Sequence, residues 1–158
     1  MPGMITDDAR RVIAEQRLAY VASVCADGTP NLSPKGTLAV WDDDHLVYAD
    51  IRSPGTAANI AVNPNVEVNV VDPFSRKGYR FKGVAEIIRE GDLFSRMLDF
   101  YNGMRSDKSK PLPEIRAFVL IKVTRIRPLT SPAYDDGTDE QSIRARWVAH
   151  YAKLQDKL

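Results

Sequence analysis

The chain has 158 residues, 27% of them charged, and a formal net charge of +1, which fits one domain able to bury about 68–70% of its unfolded surface. Near-neutral charge spread along the chain excludes a bulk attraction to nucleic acid, and no apolar run approaches the about 20 residues of a membrane helix. The single Cys25 excludes an internal disulfide and, with no cationic start followed by an apolar run, predicts a cytoplasmic protein.

In chain order, Thr6 followed by Asp7 and Asp8 predicts a helix over about 6–16, with Val12 and Ile13 toward the core. Residues 18–25 are rich in strand formers, and the Asp27-Gly28 pair supplies the turn to a second strand over 31–41, its antiparallel neighbour. An acidic turn at 42–45 leads to a third strand over 46–50. This strand runs straight into Ser53 and Pro54, which suit the N-cap and first position of a short helix.

Asn63 and Pro64 stop that helix, and residues 66–71 read as a fourth strand. From Gly78 onward, Tyr79, Phe81, Gly83, Ala85 and Ile87 alternate with Arg80, Lys82, Val84, Glu86 and Ile88, which predicts a fifth strand with one packed and one initially basic face. Leu93, Phe94, Met97, Leu98 and Tyr101 have helical spacing over 91–101, and 103–114 is a polar loop. The apolar centre of 116–127 predicts a sixth strand at least partly covered on both faces. After a linker at 131–137, Ile143, Trp147, Tyr151 and Leu154 form one stripe of a C-terminal helix over about 139–155. No repeat or second unit is visible, so residues 1–158 form one domain. Six strands in hairpin order with peripheral helices predict a mainly β, antiparallel barrel.

The junction after the third strand carries the chemistry. A helix opened by Ser53 and Pro54 presents the unpaired N–H groups of Gly55 and Thr56 at its positive end, a ready phosphate site. Arg52 adds a charge able to grip two phosphate oxygens, and the Ser53 and Thr56 hydroxyls add neutral donors. The bland alternative is an ordinary capped helix. His45 and His150 are the only histidines, and each stands apart from any cysteine, so no metal site is expected. Neither is placed for a Ser-His-Asp triad. Cys25 has no basic neighbour and reads as a packed residue.

With Ser33, Pro34, Lys35 and Gly36 on the second strand, the 50–60 junction and the strand from Gly78 to Glu86 in view, the chain resembles the pyridoxamine 5′-phosphate oxidase-like split-barrel flavoproteins over residues 10–127. The resemblance implies a six-stranded split barrel that binds FMN. It places the phosphate at Arg52, Ser53 and Thr56, with Lys82 and then Arg80 or Lys77 adding charge. The ring is expected along Ser33, Pro34, Lys35 and Gly36, against Ala49 and Asp50. Lys35 there biases the electronics of a cofactor that carries the redox chemistry itself. Lys35, Arg80 and Lys82 each have the alternative reading of a solvated strand residue.

The resemblance further implies an oxidoreductase working between the flavin and NAD(P)H or another small molecule, in a homodimer with FMN at the interface. The chain departs from the namesake oxidase in two places. Its end, residues 144–151, lacks the namesake's Arg-Leu-x-Pro-type ending, and Leu38 replaces a substrate-binding lysine, both of which count against vitamin B6 oxidation. A deazaflavin-dependent reductase is one alternative, with Arg105, Lys108 and Lys110 for a longer acidic tail. A non-enzymatic flavin carrier or redox sensor is another, and a single-strand nucleic-acid barrel is disfavoured by the neutral charge.

Overall fold

Helix α1 (Asp7–Gln16) begins where Thr6 Oγ1 accepts the N–H of Ala9 at 3.3 Å, with Asp7 and Asp8 at the positive end of its dipole. The computed structural model describes residues 3–158. Strands β1 (Ala19–Val24) and β2 (Pro30–Lys35) form the hairpin expected around Gly28, which adopts φ 83°. The predicted second strand does not run on to residue 41. It breaks at residues 36–38, and its far end is a separate short strand, β3 (Ala39–Val40).

Strand β4 (His45–Asp50) leads into helix α2 (Pro54–Val62), then β5 (Asn65–Asp72), β6 (Lys77–Ile88), helix α3 (Gly91–Met104) and β7 (Ala117–Thr130). Helix α4 (Glu140–Gln155) closes the chain, capped by Asp139, whose Oδ1 accepts the N–H of Ser142. Among the described residues the strand count is therefore seven rather than six, in one antiparallel sheet of order β2-β1-β5-β6-β7-β4-β3.

The break explains the curvature. In a flat sheet, seven strands spaced about 4.8 Å apart would separate β2 from β3 by about 29 Å. Lys35 and Ala39 are joined by four Cα steps, at most about 14 Å. The sheet must curl until its two edges meet at residues 36–38, giving a split barrel. A bulge aids the bend: pairing shifts between Lys82 and Gly83, so that Lys82 faces Arg125 and Gly83 faces Val123, with the Thr124 hydroxyl donating to the Lys82 carbonyl.

Alternation then sorts the side chains. Val21, Val68, Phe81 and Ile121 are fully buried inside the curl, and Ala9, Val12 and Ile13 of α1 join them. On the opposite side of β4 and β7, Val47 and Phe118 pack against Met97 and Tyr101 of α3. Helix α4 buries only Ile143 and is tied by ion pairs, Arg144 to the buried Asp72 at 2.8 Å and Lys77 to Glu140 at 2.9 Å. Among the described residues no helix is long and apolar enough to cross a membrane.

Candidate functional site

The seam of the barrel brings the end of β2 and the end of β4 together. Antiparallel register places Ser23 opposite Asn31, Val21 opposite Ser33 and Ala19 opposite Lys35, so Asn31, Ser33 and Lys35 share the inner side of the hairpin. Lys35 is only 5% exposed. Its Nζ donates to Ser33 Oγ at 2.5 Å and to Ser53 Oγ at 2.6 Å, and lies 5.3 Å from the centre of the Tyr48 ring. The solvated-strand reading of Lys35 is thereby set aside.

Burial pushes the Lys35 ammonium below its ordinary pKa, and the negative charge of Asp50 partly offsets this. Burial, followed by the same carboxylate, pushes the Tyr48 phenol up, so it stays neutral. Asp50, itself 5% exposed, accepts the Ser53 N–H through Oδ1 at 3.1 Å and thereby fixes the entry to α2. The Thr37 hydroxyl meets the N–H of Ala49 at 3.0 Å and locks the bend at 36–38 against β4.

Ser53 occupies the N-cap of α2 as its sequence position predicts, yet its side chain makes no capping bond. Its Oγ is engaged by Lys35 instead. Among the described residues no acceptor takes the N–H of Gly55 or Thr56, whereas the next N–H, that of Ala57, reaches the Ser53 carbonyl at 3.0 Å. The first turn of α2 therefore keeps two donors for a ligand, and Ser53, accepting from Lys35, keeps its own O–H to give. Arg52 stands exposed beside them. These groups fit a phosphate.

Thr56 is 3% exposed and receives a bond from Asn31 Nδ2 at 3.3 Å. Asn31 also donates to Ser23, as does Asn59 from the next turn of α2, at 3.1 Å. Together with Thr56, the residues Ser23, Asn31 and Asn59 fix α2 to the hairpin, and sequence reasoning passed over these three. The signal was present: the Asp27-Gly28 turn sets the register, and that register lines up Ser23, Asn31, Ser33 and Lys35 on the face that should be apolar.

Arg80 and Lys82 lie elsewhere. They alternate with the buried Phe81, so they project from the outer face of β6, where both meet Glu67, Arg80 at 2.7 Å and Lys82 at 3.7 Å. No hydrogen bond or ion pair joins them to Arg52, Ser53 or Thr56. Lys77 is engaged by Glu140 of α4 and lies 4.6 Å from the Tyr134 ring centre. Pro34 and Gly36 flank Lys35 and are exposed, and Ala49 is buried on the α3 side of β4. His45, the first residue of β4, pairs with Asp42 of the preceding turn at 2.8 Å, remote in the chain from His150 on α4.

A family model described as pyridoxamine 5′-phosphate oxidase matches residues 5–130. Among solved structures, HupZ of Group A Streptococcus is 36% identical, with a TM-score of 0.70 over 81% of this chain and 96% of that one. An FMN-binding protein from Syntrophomonas wolfei is 18% identical, with a TM-score of 0.64 over 80% and 87%. HutZ, the heme storage protein from Vibrio cholerae, is 19% identical, with a TM-score of 0.61 over 78% and 93%. The latter two share the fold. No curated protein matches significantly.

Proposed function

Because the chain belongs to the pyridoxamine 5′-phosphate oxidase family, we propose that it binds FMN at the barrel seam and works as an oxidoreductase on a small molecule, with NAD(P)H as a candidate donor. One observation carries the reading: the first turn of α2 is open, Arg52 stands exposed next to its N-cap in the chain, and the Ser53 hydroxyl at that cap is engaged by a buried lysine. Bound there, FMN would supply hydride or electron transfer.

The chain's own contribution is binding and electrostatics. Gly55 and Thr56 donate main-chain N–H groups to the phosphate, Ser53 donates its hydroxyl, and Arg52 adds a mobile pair of charge-assisted bonds. Lys35 adds a fixed positive charge behind Ser53. Ser33, Pro34, Gly36, Ala49 and Asp50 provide the strand edges along which the ring is proposed to lie. Asp50 opposes the bound anion but holds the Ser53 N–H, so its role is to shape the loop.

A second chain completes the proposal. Tyr20, Leu32, Val71 and Val84 are 43%, 65%, 38% and 42% exposed, and alternation puts them on the outer face that also carries Glu67, Arg80 and Lys82. Exposed apolar side chains gathered on one sheet face suit a partner copy, with Glu67, Arg80 and Lys82 already paired among them. In such a homodimer Arg80 and Lys82 serve a flavin held between chains.

FMN titration followed by flavin fluorescence tests the phosphate assignment. Arg52→Ala is expected to weaken binding by about 1.5–3 kcal/mol, tenfold or more. A loss under about 0.5 kcal/mol would contradict the assignment. A parallel titration with a deazaflavin separates the reductase alternative.

A further inference from the structure

A second concavity, of about 610 Å³, opens between the end of α1, the bend at 36–38 and the last turn of α3. It shares only Gly36 with the residues proposed for the flavin, and so lies beyond that reading. Its walls are apolar, with Ile13 and Leu38 buried at its base and Phe100 and Met104 along α3. Three arginines, Arg10, Arg17 and Arg105, line it, and no aspartate or glutamate does.

The arginines differ in what they already hold. Arg10 is committed to Asp43, with Nη2 at 2.5 Å from Oδ1. Arg17 closes α1 in the left-handed conformation, φ 51°, and its side chain has no acceptor among the described residues. Arg105 ends α3, hydrogen-bonds the neutral Asn102 side chain and Lys110 carbonyl, and has the exposed Asp107 carboxylate nearby. Each helix end offsets about half a unit of positive charge. Arg17 is the guanidinium at the mouth of this apolar cavity that no described carboxylate engages.

That combination selects a ligand. The volume falls in the range of small-molecule sites, about 300–1,000 Å³, which are mostly apolar with a few placed polar groups. A guanidinium without a carboxylate partner matches a planar, two-oxygen acceptor. We propose that the cleft binds a small organic anion with an apolar body and a terminal carboxylate, the body against Leu38 and Phe100 and the carboxylate between Arg17 and Arg105.

Calorimetric titration with 2-naphthoate, and separately with the neutral 2-naphthalenemethanol, tests this on the full chain. Naphthoate is expected to bind one per chain, at least tenfold more tightly than the alcohol. Arg17→Asn with Arg105→Gln should remove that preference while leaving the alcohol unchanged. Ala14→Trp, at an exposed α1 position on the cleft wall, should block both ligands, with an unchanged melting temperature showing the fold intact. Binding of naphthoate no tighter than the alcohol would overturn the proposal, as would equal binding to the Ala14→Trp variant.

Discussion

Lys35 is the residue on which the candidate site turns. It sits where alternation calls for an apolar side chain, shielded from water, and is held by two hydroxyls and an aromatic face. Because its pKa is lowered on folding, the unfolded chain holds this proton to higher pH. The penalty is therefore present at neutral pH and is relieved as pH rises through the lowered value toward about 10.4. Lys35→Met is expected to leave the apoprotein's stability within about 1 kcal/mol or raise it, the usual cost of a functional site, with any gain shrinking at alkaline pH in urea unfolding. The same variant should weaken FMN about tenfold, as loss of a charged hydrogen-bonding group does. Affinity within twofold of the parent chain would remove Lys35 from the site. Arg52, Ser53 and Pro54 were legible as a strand-to-helix junction because their message is local. The inward placement of Lys35 follows from the hairpin register, but its closure by Ser53 does not, since that depends on α2 docking across the hairpin.

At the scale of elements, helices were read closely: Thr6 caps α1 as the sequence predicts, and α4 runs within the predicted 139–155 with Asp139 as its cap. The strand that failed is the instructive one. Residues 31–41 look continuous, yet Gly36 allows a bend, Thr37 bonds to Ala49, and the Tyr101 hydroxyl donates to the Thr37 carbonyl at 2.6 Å. Two of those three causes lie far away in sequence, which is why pattern alone ran through the break. The bulge beside Gly83 makes a further demand that sequence conceals. A Cβ there would lie 2.5 Å from Ile121 Cγ2 and 2.7 Å from the Lys122 carbonyl. Gly83→Ala is expected to destabilise by about 1–3 kcal/mol, the range for overpacking a closed site. Urea unfolding reads this directly, and an unchanged midpoint would show that the strand pair relaxes freely.

For the whole molecule, hairpin order and peripheral helices sufficed to predict a mainly β barrel. The seam itself follows from chain geometry once β2 and β3 are known to be opposite edges. What sequence could not give is which face stays open, since the same alternation fits a solvated sheet and a buried one. The outer face with Tyr20, Leu32, Val71 and Val84 is the proposed dimer surface. Sedimentation of the purified chain is expected to give twice the monomer mass, and Tyr20→Asp with Leu32→Asp to give the monomer. A parent chain that sediments as a monomer at micromolar concentration would leave that face solvated and the site within one chain.

The central claim is that the seam holds FMN, and the visible absorbance of the purified protein tests it most directly, before and after FMN is added and unbound cofactor is removed by gel filtration. Flavin bands that travel with the protein, and that fade with Arg52→Ala, are the predicted result. A colourless protein that retains no FMN would contradict the account and return the α2 junction to an ordinary capped helix.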